Sequence, residues 1–109
     1  MDIDFKTNKI KKQFNSEKEM LKAFGKNITA RLKQRIFELK SADTLDDVSQ
    51  YKPTRLHELS GKENGQFSVD VSGNYRLLFI PQKPVPIVAG IIDRTAVKAI
   101  TIIAIKDTH

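Results

Sequence analysis

The sequence predicts an α+β fold in which N-terminal helices pack on one face of a small, mostly antiparallel sheet. Two observations carry that prediction. In the first 40 residues apolar side chains recur at helical spacing, and from Pro53 onward the period becomes that of strands. Size and composition add a third. A chain of 109 residues, 39% apolar and 29% charged, suits one soluble domain over residues 1–109 rather than a disordered segment or two cores.

The elements follow in order. "DIDF" alternates polar and apolar residues, which makes a short first strand with Ile3 and Phe5 on one face. Thr7 or Asn8 caps a short helix over "TNKIKKQF". In "NSEKEMLKAFG", Ser16 is the cap, Glu19 follows three residues later, and Gly25 stops the helix. The clearest helix spans about Asn27 to Lys40, where Ile28, Leu32, Ile36 and Leu39 make one apolar stripe. Arg31, Lys33, Arg35 and Lys40 fall off that stripe. "SADTLDDV" closes the helix with a brief acidic turn capped by Asp43 or Thr44.

"TRLHELSG" alternates, with Arg55, His57 and Leu59 on one side and Leu56 and Glu58 on the other. "GKENG" is a turn. "QFSVDV" sets Phe67, Val69 and Val71 on one face and Ser68 and Asp70 on the opposite one. "SGN" supplies a hairpin turn, since Gly73 and Asn74 tolerate positive φ. "YRLLFI" returns, with Arg76, Leu78 and Ile80 sharing a face. "PQKPVPIVAGIIDRTAVKA" holds three prolines and predicts an irregular excursion. "ITIIAIKD" is a β-branched run fit for a buried last strand.

Charge is unevenly placed. Residues 1–40 carry 11 Lys and Arg against 5 Asp and Glu, and the remainder carries 8 against 8. A basic N-terminal face favours a polyanion or an acidic protein partner, and equally describes a solvated lysine-rich helix. The absence of cysteine excludes disulfides and thiolate metal sites and fits a reducing cytoplasm. No apolar run approaches the roughly 20 residues of a membrane span, and "MDIDFKTNK" lacks the apolar stretch of a signal peptide. A cytoplasmic protein without membrane contact is expected. Two histidines far apart in sequence, with no phosphate loop and no H-E-x-x-H, give no reason to expect a metal or other cofactor.

What remains is a polar set in the C-terminal half: Arg55, His57, Lys62, Asn74, Arg76, Asp107 and His109. Strands paired in order would bring Arg55, His57 and Arg76 to one surface. Structural roles fit the same residues. Arg76 suits an ion pair with Asp70 or Glu58, His57 a surface position, and His109 a frayed terminus.

Three segments, "RLHELSG", "GQFSVDVSGNYRLLF" and the closing "IKDTH", resemble the HigB-type toxins of the RelE/ParE superfamily. The prolines after Phe79 and the N-terminal "FKTNKIKKQF…KAFG" extend the resemblance over nearly the whole chain. These are the toxin halves of bacterial toxin–antitoxin pairs. The resemblance implies a RelE-like fold and a ribosome-dependent mRNA endonuclease, an mRNA interferase acting in the A site of the 70S ribosome. In that chemistry a 2′-hydroxyl attacks the neighbouring phosphodiester and leaves a 2′,3′-cyclic phosphate, without a metal. It requires a proton acceptor, a proton donor and fixed positive charge for the transition state.

Carried over by resemblance, Arg76 ends the Asn-aromatic-Arg motif and stabilises the phosphate, for which a guanidinium fork is suited. Asn74 begins that motif and orients the RNA backbone. Arg55 and His57 match the "RLH" string, and His109 matches the terminal histidine. An imidazole, with an unperturbed pKa near ~6.5, suits acid–base work for His57 and His109. Lys62 and Asp107 join the expected RNA-binding set, and Lys33 and Arg35 are expected to grip ribosomal RNA or antitoxin. Ser60 stands where many relatives carry lysine, and Thr108 where the family ending has an aromatic. The implied partner is a helix-turn-helix, HigA-like antitoxin, through which the pair reaches operator DNA. Two alternatives share the fold: a ParE-like inhibitor of DNA gyrase, and a catalytically inactive corepressor that binds antitoxin.

Overall fold

Each helix begins where a hydroxyl satisfies an orphan backbone donor. The computed structural model, which describes residues 1–107, shows Thr7 Oγ1 accepting from the Ile10 N–H at 3.2 Å and opening α1 (Asn8–Phe14). Ser16 Oγ accepts from the Glu19 N–H at 3.3 Å and opens α2 (Glu17–Ser41). Gly25, at φ 79° and ψ 173°, leaves helical geometry, so α2 is two helices meeting at a kink and the stop expected there is present. Carbonyls left without helical partners at the C-terminal end of α2 are met by the Met1 ammonium. It donates to Leu39, Lys40 and Ala42 at 3.3, 2.8 and 2.5 Å, a cation placed at the negative end of the helix dipole.

A five-stranded sheet follows, built from β1 (Asp2–Phe5), β2 (His57–Glu58), β3 (Phe67–Asp70), β4 (Tyr75–Pro81) and, last, the strand Ala99–Asp107. Between β4 and that last strand lie β5 (Ile87–Val88) and β6 (Ile91–Ile92), so the last strand is β7. The order across the sheet is β1-β7-β4-β3-β2, with β1 parallel to β7 and the other pairs antiparallel. The β-branched run of β7 thus lies between two strands, where stiff branched side chains pack well.

One sheet face carries Phe67, Val69, Leu77, Phe79, Ile100 and Ile102, all fully buried, and α2 lays Leu32 and Leu39 into the same core. A register shift between Leu78 and Phe79 sets Leu78 opposite Ala104 but Phe79 opposite Ile102, so Ile103 is the extra residue of a bulge. That bulge keeps Phe79 and Ile102 paired on the core side while the far end of β7 stays in register with Tyr75 and Arg76.

Two sequence expectations change. The excursion after β4 is not wholly irregular, because β5 and β6 form a small hairpin followed by a tight turn over Arg94–Ala96. Ala89 (φ 52°) and Gly90 (φ 78°) supply the positive φ pair that a two-residue hairpin turn needs. The alternating stretch from Thr54 to Leu59 shortens to the edge strand His57–Glu58, because Arg55 sits at φ 47° and breaks the extended backbone. Among the described residues no helix is long and apolar enough to cross a membrane.

The core assignment is testable on α2. Leu39→Ala is expected to lower the unfolding free energy by about 2–5 kcal/mol, because it empties a fully buried site. Phe37→Ala, at a side chain 64% exposed, should shift it by about 0.5 kcal/mol or less. Denaturant titration reads both, and equal losses would mean that α2 packs through a different face.

Candidate functional site

Register alone assembles a polar surface. Asp70 of β3 lies opposite Arg76 of β4, and Arg76 lies opposite Lys106 of β7. One step along the strands, His57 faces Ser68, Ser68 faces Leu78, and Leu78 faces Ala104. Because side chains alternate, these two rows share a face, and it is the face turned away from the helices. Ser68 and Leu78 are buried there and form its floor. Lys106 Nζ is 3.7 Å from Glu63 Oε1, so the turn Gly61–Glu63, which carries exposed Lys62, folds over this face toward β7.

Asp70 anchors the arrangement. Arg55 grips its carboxylate with both arms of the guanidinium, Nε to Oδ2 at 2.7 Å and Nη2 to Oδ1 at 3.1 Å. Arg76 Nε lies 3.7 Å from Oδ1, an ion pair longer than a hydrogen bond. The Asp70 N–H donates to the Thr54 carbonyl at 2.8 Å, and the Asp70 carbonyl accepts from Arg35 Nε at 2.7 Å. Arg35 Nη1 also meets Glu38 at 3.1 Å, and Glu38 in turn accepts from the Thr54 hydroxyl at 2.6 Å. The hydrogen bonds that Arg55 donates to Asp70, and then the negative charge of Asp70, push the Arg55 pKa above the ordinary arginine value, so the cation is permanent. A left-handed backbone is unusual for arginine. It persists here because the side chain is clamped to Asp70 while the Arg55 N–H donates to the Tyr51 carbonyl at 2.8 Å.

His57 and Arg76 therefore reach one surface by strand alternation, Arg55 joins them from outside the strand through its clamp on Asp70, and Arg76 also takes the ion pair with Asp70. Glu58 points elsewhere. It accepts from Arg94 at 3.1 Å, and that guanidinium lies 5.1 Å from the Phe67 ring centroid. Asn74 is exposed in the β3–β4 turn, with its N–H donating to Ser72 Oγ at 3.2 Å. Asp107 lies opposite Tyr75, which by alternation puts it on the other side of β7 from Lys106. His109 and Thr108 lie outside the described residues. Lys33 is exposed on α2 and pairs with Glu17 at 2.9 Å, remote from the sheet surface.

Arg35 needs correction. Expected on an open basic face, it is only 6% exposed and is spent on Asp70 and Glu38. The signal was present, since Leu32, Arg35 and Leu39 are spaced three and four apart and so share one side of the helix. Lys106 was missed for a different reason. Its place beside Arg76 depends on the β4–β7 register and the bulge, which no local pattern encodes.

The surface thus gathers Arg55, Arg76 and Lys106 as cations, two engaged carboxylates (Asp70 and Glu63), and an exposed imidazole on the edge strand. Such a set can hold a phosphodiester and exchange a proton beside it. Among the described residues no three His, Cys, Asp or Glu side chains converge as metal ligands.

Comparison with known proteins gives a consistent picture. Residues 3–87 match the HigB-like toxin family, described as the RelE-like toxin of type II toxin–antitoxin system HigB. The fold is similar to a YoeB/ParE toxin from Agrobacterium tumefaciens, with a TM-score of 0.59 and 10% identity over 100% of both chains. It is similar also to the YoeB–YefM complex from Staphylococcus aureus, with a TM-score of 0.59, 10% identity, and coverage of 100% of this chain and 98% of that one. At such identity the likeness is one of fold. No curated protein sequence matches the chain.

The Asp70 clamp makes a measurable prediction. Asp70→Asn should cost about 1–3 kcal/mol of stability, since it weakens charged hydrogen bonds to a partly buried partner. In a double-mutant cycle with Arg55→Gln, a coupling of about 0.5 kcal/mol or more is expected. Strict additivity would mean that the pair holds nothing together.

Proposed function

Because the chain belongs to the HigB-like toxins, RelE-like toxins of type II toxin–antitoxin systems, we propose that it is a ribosome-dependent mRNA endonuclease. It cleaves by attack of a 2′-hydroxyl on the adjacent phosphodiester, with no cofactor. The observation that carries this reading is the row Asp70–Arg76–Lys106 with Arg55 beside it, on a sheet face that the helices leave open.

The roles follow from how firmly each group is held. Arg55 spends two N–H donors on Asp70, whereas Arg76 stands at 3.7 Å and keeps its donors for a substrate oxygen. Arg76 therefore takes the scissile phosphate, and its fixed charge grows more favourable as the phosphorane-like transition state gathers negative charge. Arg55 holds Asp70 so that the carboxylate does not capture Arg76 in a tight bond. His57, exposed on β2, moves the proton at the attacking or leaving oxygen, with His109 as the second acid–base group. Asn74, Lys62 and Lys106 bind the RNA backbone around that centre, while Asp107, on the other side of β7, does not join them.

An antitoxin of the helix-turn-helix, HigA-like kind holds the toxin inactive and carries it to operator DNA. That a solved neighbour is a YoeB–YefM complex supports a protein partner of this general kind. Lys33 and the other lysines of the helical side meet ribosomal RNA or antitoxin, and the whole of residues 1–109 works as one domain in the cytoplasm, where translation supplies the substrate. Binding of this sort weakens steeply with salt.

A reconstituted translation reaction tests the proposal, with mRNA 5′ ends mapped by primer extension. Wild-type protein should cut only in the presence of ribosomes, and Arg76→Ala should cut about a hundred- to a thousandfold more slowly. Folded wild-type protein that leaves mRNA intact would overturn the nuclease, and assays of gyrase supercoiling and operator binding would then separate its two rivals. Removal of Asp107–His109 should lower cleavage far more than stability, and equal loss of both would make that terminus a structural element.

A further inference from the structure

A second basic feature lies just behind the phosphate-binding row. Between the middle of α2 and the β3–β4 turn is a cleft of about 460 Å³, lined by Arg31, Arg35, Lys52, Asp70, Ser72 and Gly73 among others. At ~30 Å³ for each water, that volume admits a hydrated phosphodiester without moving the walls.

Its charge balance is positive. Arg31, Arg35 and Lys52 line it, Arg35 already neutralised by Glu38, while the one carboxylate among the lining residues, that of Asp70, is already engaged by Arg55 and Arg76. Among the described residues the side chains of Arg31 and Lys52 make no ion pair or hydrogen bond, and both are exposed. Arg35 behind them is buried and fixed by the Asp70 carbonyl and Glu38, so its charge is preorganised. Ser72 adds a donor. Its Oγ accepts from the Asn74 and Tyr75 N–H groups at 3.2 and 3.1 Å, which leaves the hydroxyl hydrogen for a ligand. Open space over Gly73 leaves the entrance unobstructed.

We infer that this cleft is an anion subsite that takes one backbone phosphate of single-stranded RNA, one or more nucleotides from the bond at Arg76. Continuity selects that ligand. Asp70 is common to both: it lines the cleft, and its carboxylate, on the sheet face away from the helices, carries Arg55 and Arg76, so a single strand passing around the β3–β4 turn from one face to the other meets both sites. The inference rests on the nuclease reading for the identity of the strand, and the cleft's own chemistry supplies the phosphate. The subsite fixes the direction in which RNA lies across the sheet, and Arg31 and Lys52 position it without touching the reacting atoms.

The test is fluorescence anisotropy with a labelled single-stranded RNA, 2′-deoxy throughout its central steps so that it cannot be cut, titrated over a range of salt. Arg31→Ala/Lys52→Ala should bind about five- to tenfold more weakly at low salt, and the slope of log affinity against log salt should fall by about 0.7, the value for one phosphate on a single strand. Both residues are exposed, so an unchanged thermal melt is expected and shows that the variant is folded. Unchanged affinity and slope in a folded variant would overturn the subsite. So would an equal loss of affinity for a DNA duplex of the same length, which would reduce the cleft to a general basic surface. The two proposals fail separately. RNA binding that depends on Arg31 and Lys52 in a protein that never cuts mRNA sinks the nuclease alone, and full cutting with unaltered RNA binding in the double variant sinks the subsite alone.

Discussion

Asp70 ties together parts of the chain that share no local reason to meet. Its carboxylate holds Arg55 and faces Arg76, its carbonyl receives Arg35 from α2, and its N–H meets Thr54. One residue therefore joins a helix, a loop and two strands. Each hydrogen bond to a charged group contributes on the order of 1.5–3 kcal/mol, and they are mutually dependent because each fixes the geometry of the next. The left-handed backbone at Arg55, the burial of Arg35 and the availability of Arg76 all follow from where this carboxylate sits. Glu38 plays the complementary part on the helix side, neutralising Arg35 and receiving Thr54.

The two faces of the sheet answer to different demands. On the helix side, Phe67, Leu77, Phe79 and Ile102 fill an apolar core, with Thr29 and Arg35 of α2 also buried. On the other side, Arg76 and Lys106 are direct cross-strand neighbours, a like-charge pairing that ordinarily destabilises a sheet. Asp70 and Glu63 offset part of that repulsion, at 3.7 Å in each case, and a bound polyanion would offset more. Local conflict of this kind is commonly found at functional surfaces.

Much of this was legible in the sequence. Thr7 and Ser16 announced the helix starts, because capping is a matter of one side chain and a backbone donor three residues on. The hairpin from Phe67 to Ile80 was legible through strict alternation, and with it the shared face of Asp70 and Arg76. What the sequence hid was nonlocal. The parallel pairing of β1 with β7 joins the two ends of the chain, and the bulge at Ile103 decides which side Lys106 takes. Arg35 was hidden differently. A charged residue at a core position reads as an exception to the stripe until its partner, a carbonyl in another element, is known.

The position of β7 within the sheet bears on how such a protein comes into being on the ribosome. The strand made last, Ala99–Asp107, occupies the gap between β1, made first, and β4. Synthesis proceeds at about 5–20 residues per second, and contacts between distant parts of a chain must wait for both partners. Until β7 emerges, β1 has no neighbour, β4 has an open edge, and Lys106 is missing from beside Arg76. A chain that has not yet made β7 therefore lacks Ile100 and Ile102 from the core and Lys106 from the cationic row. In a toxin built this way the cationic row is assembled only after β7 has been made, and an inhibitor made alongside it has that interval in which to be present.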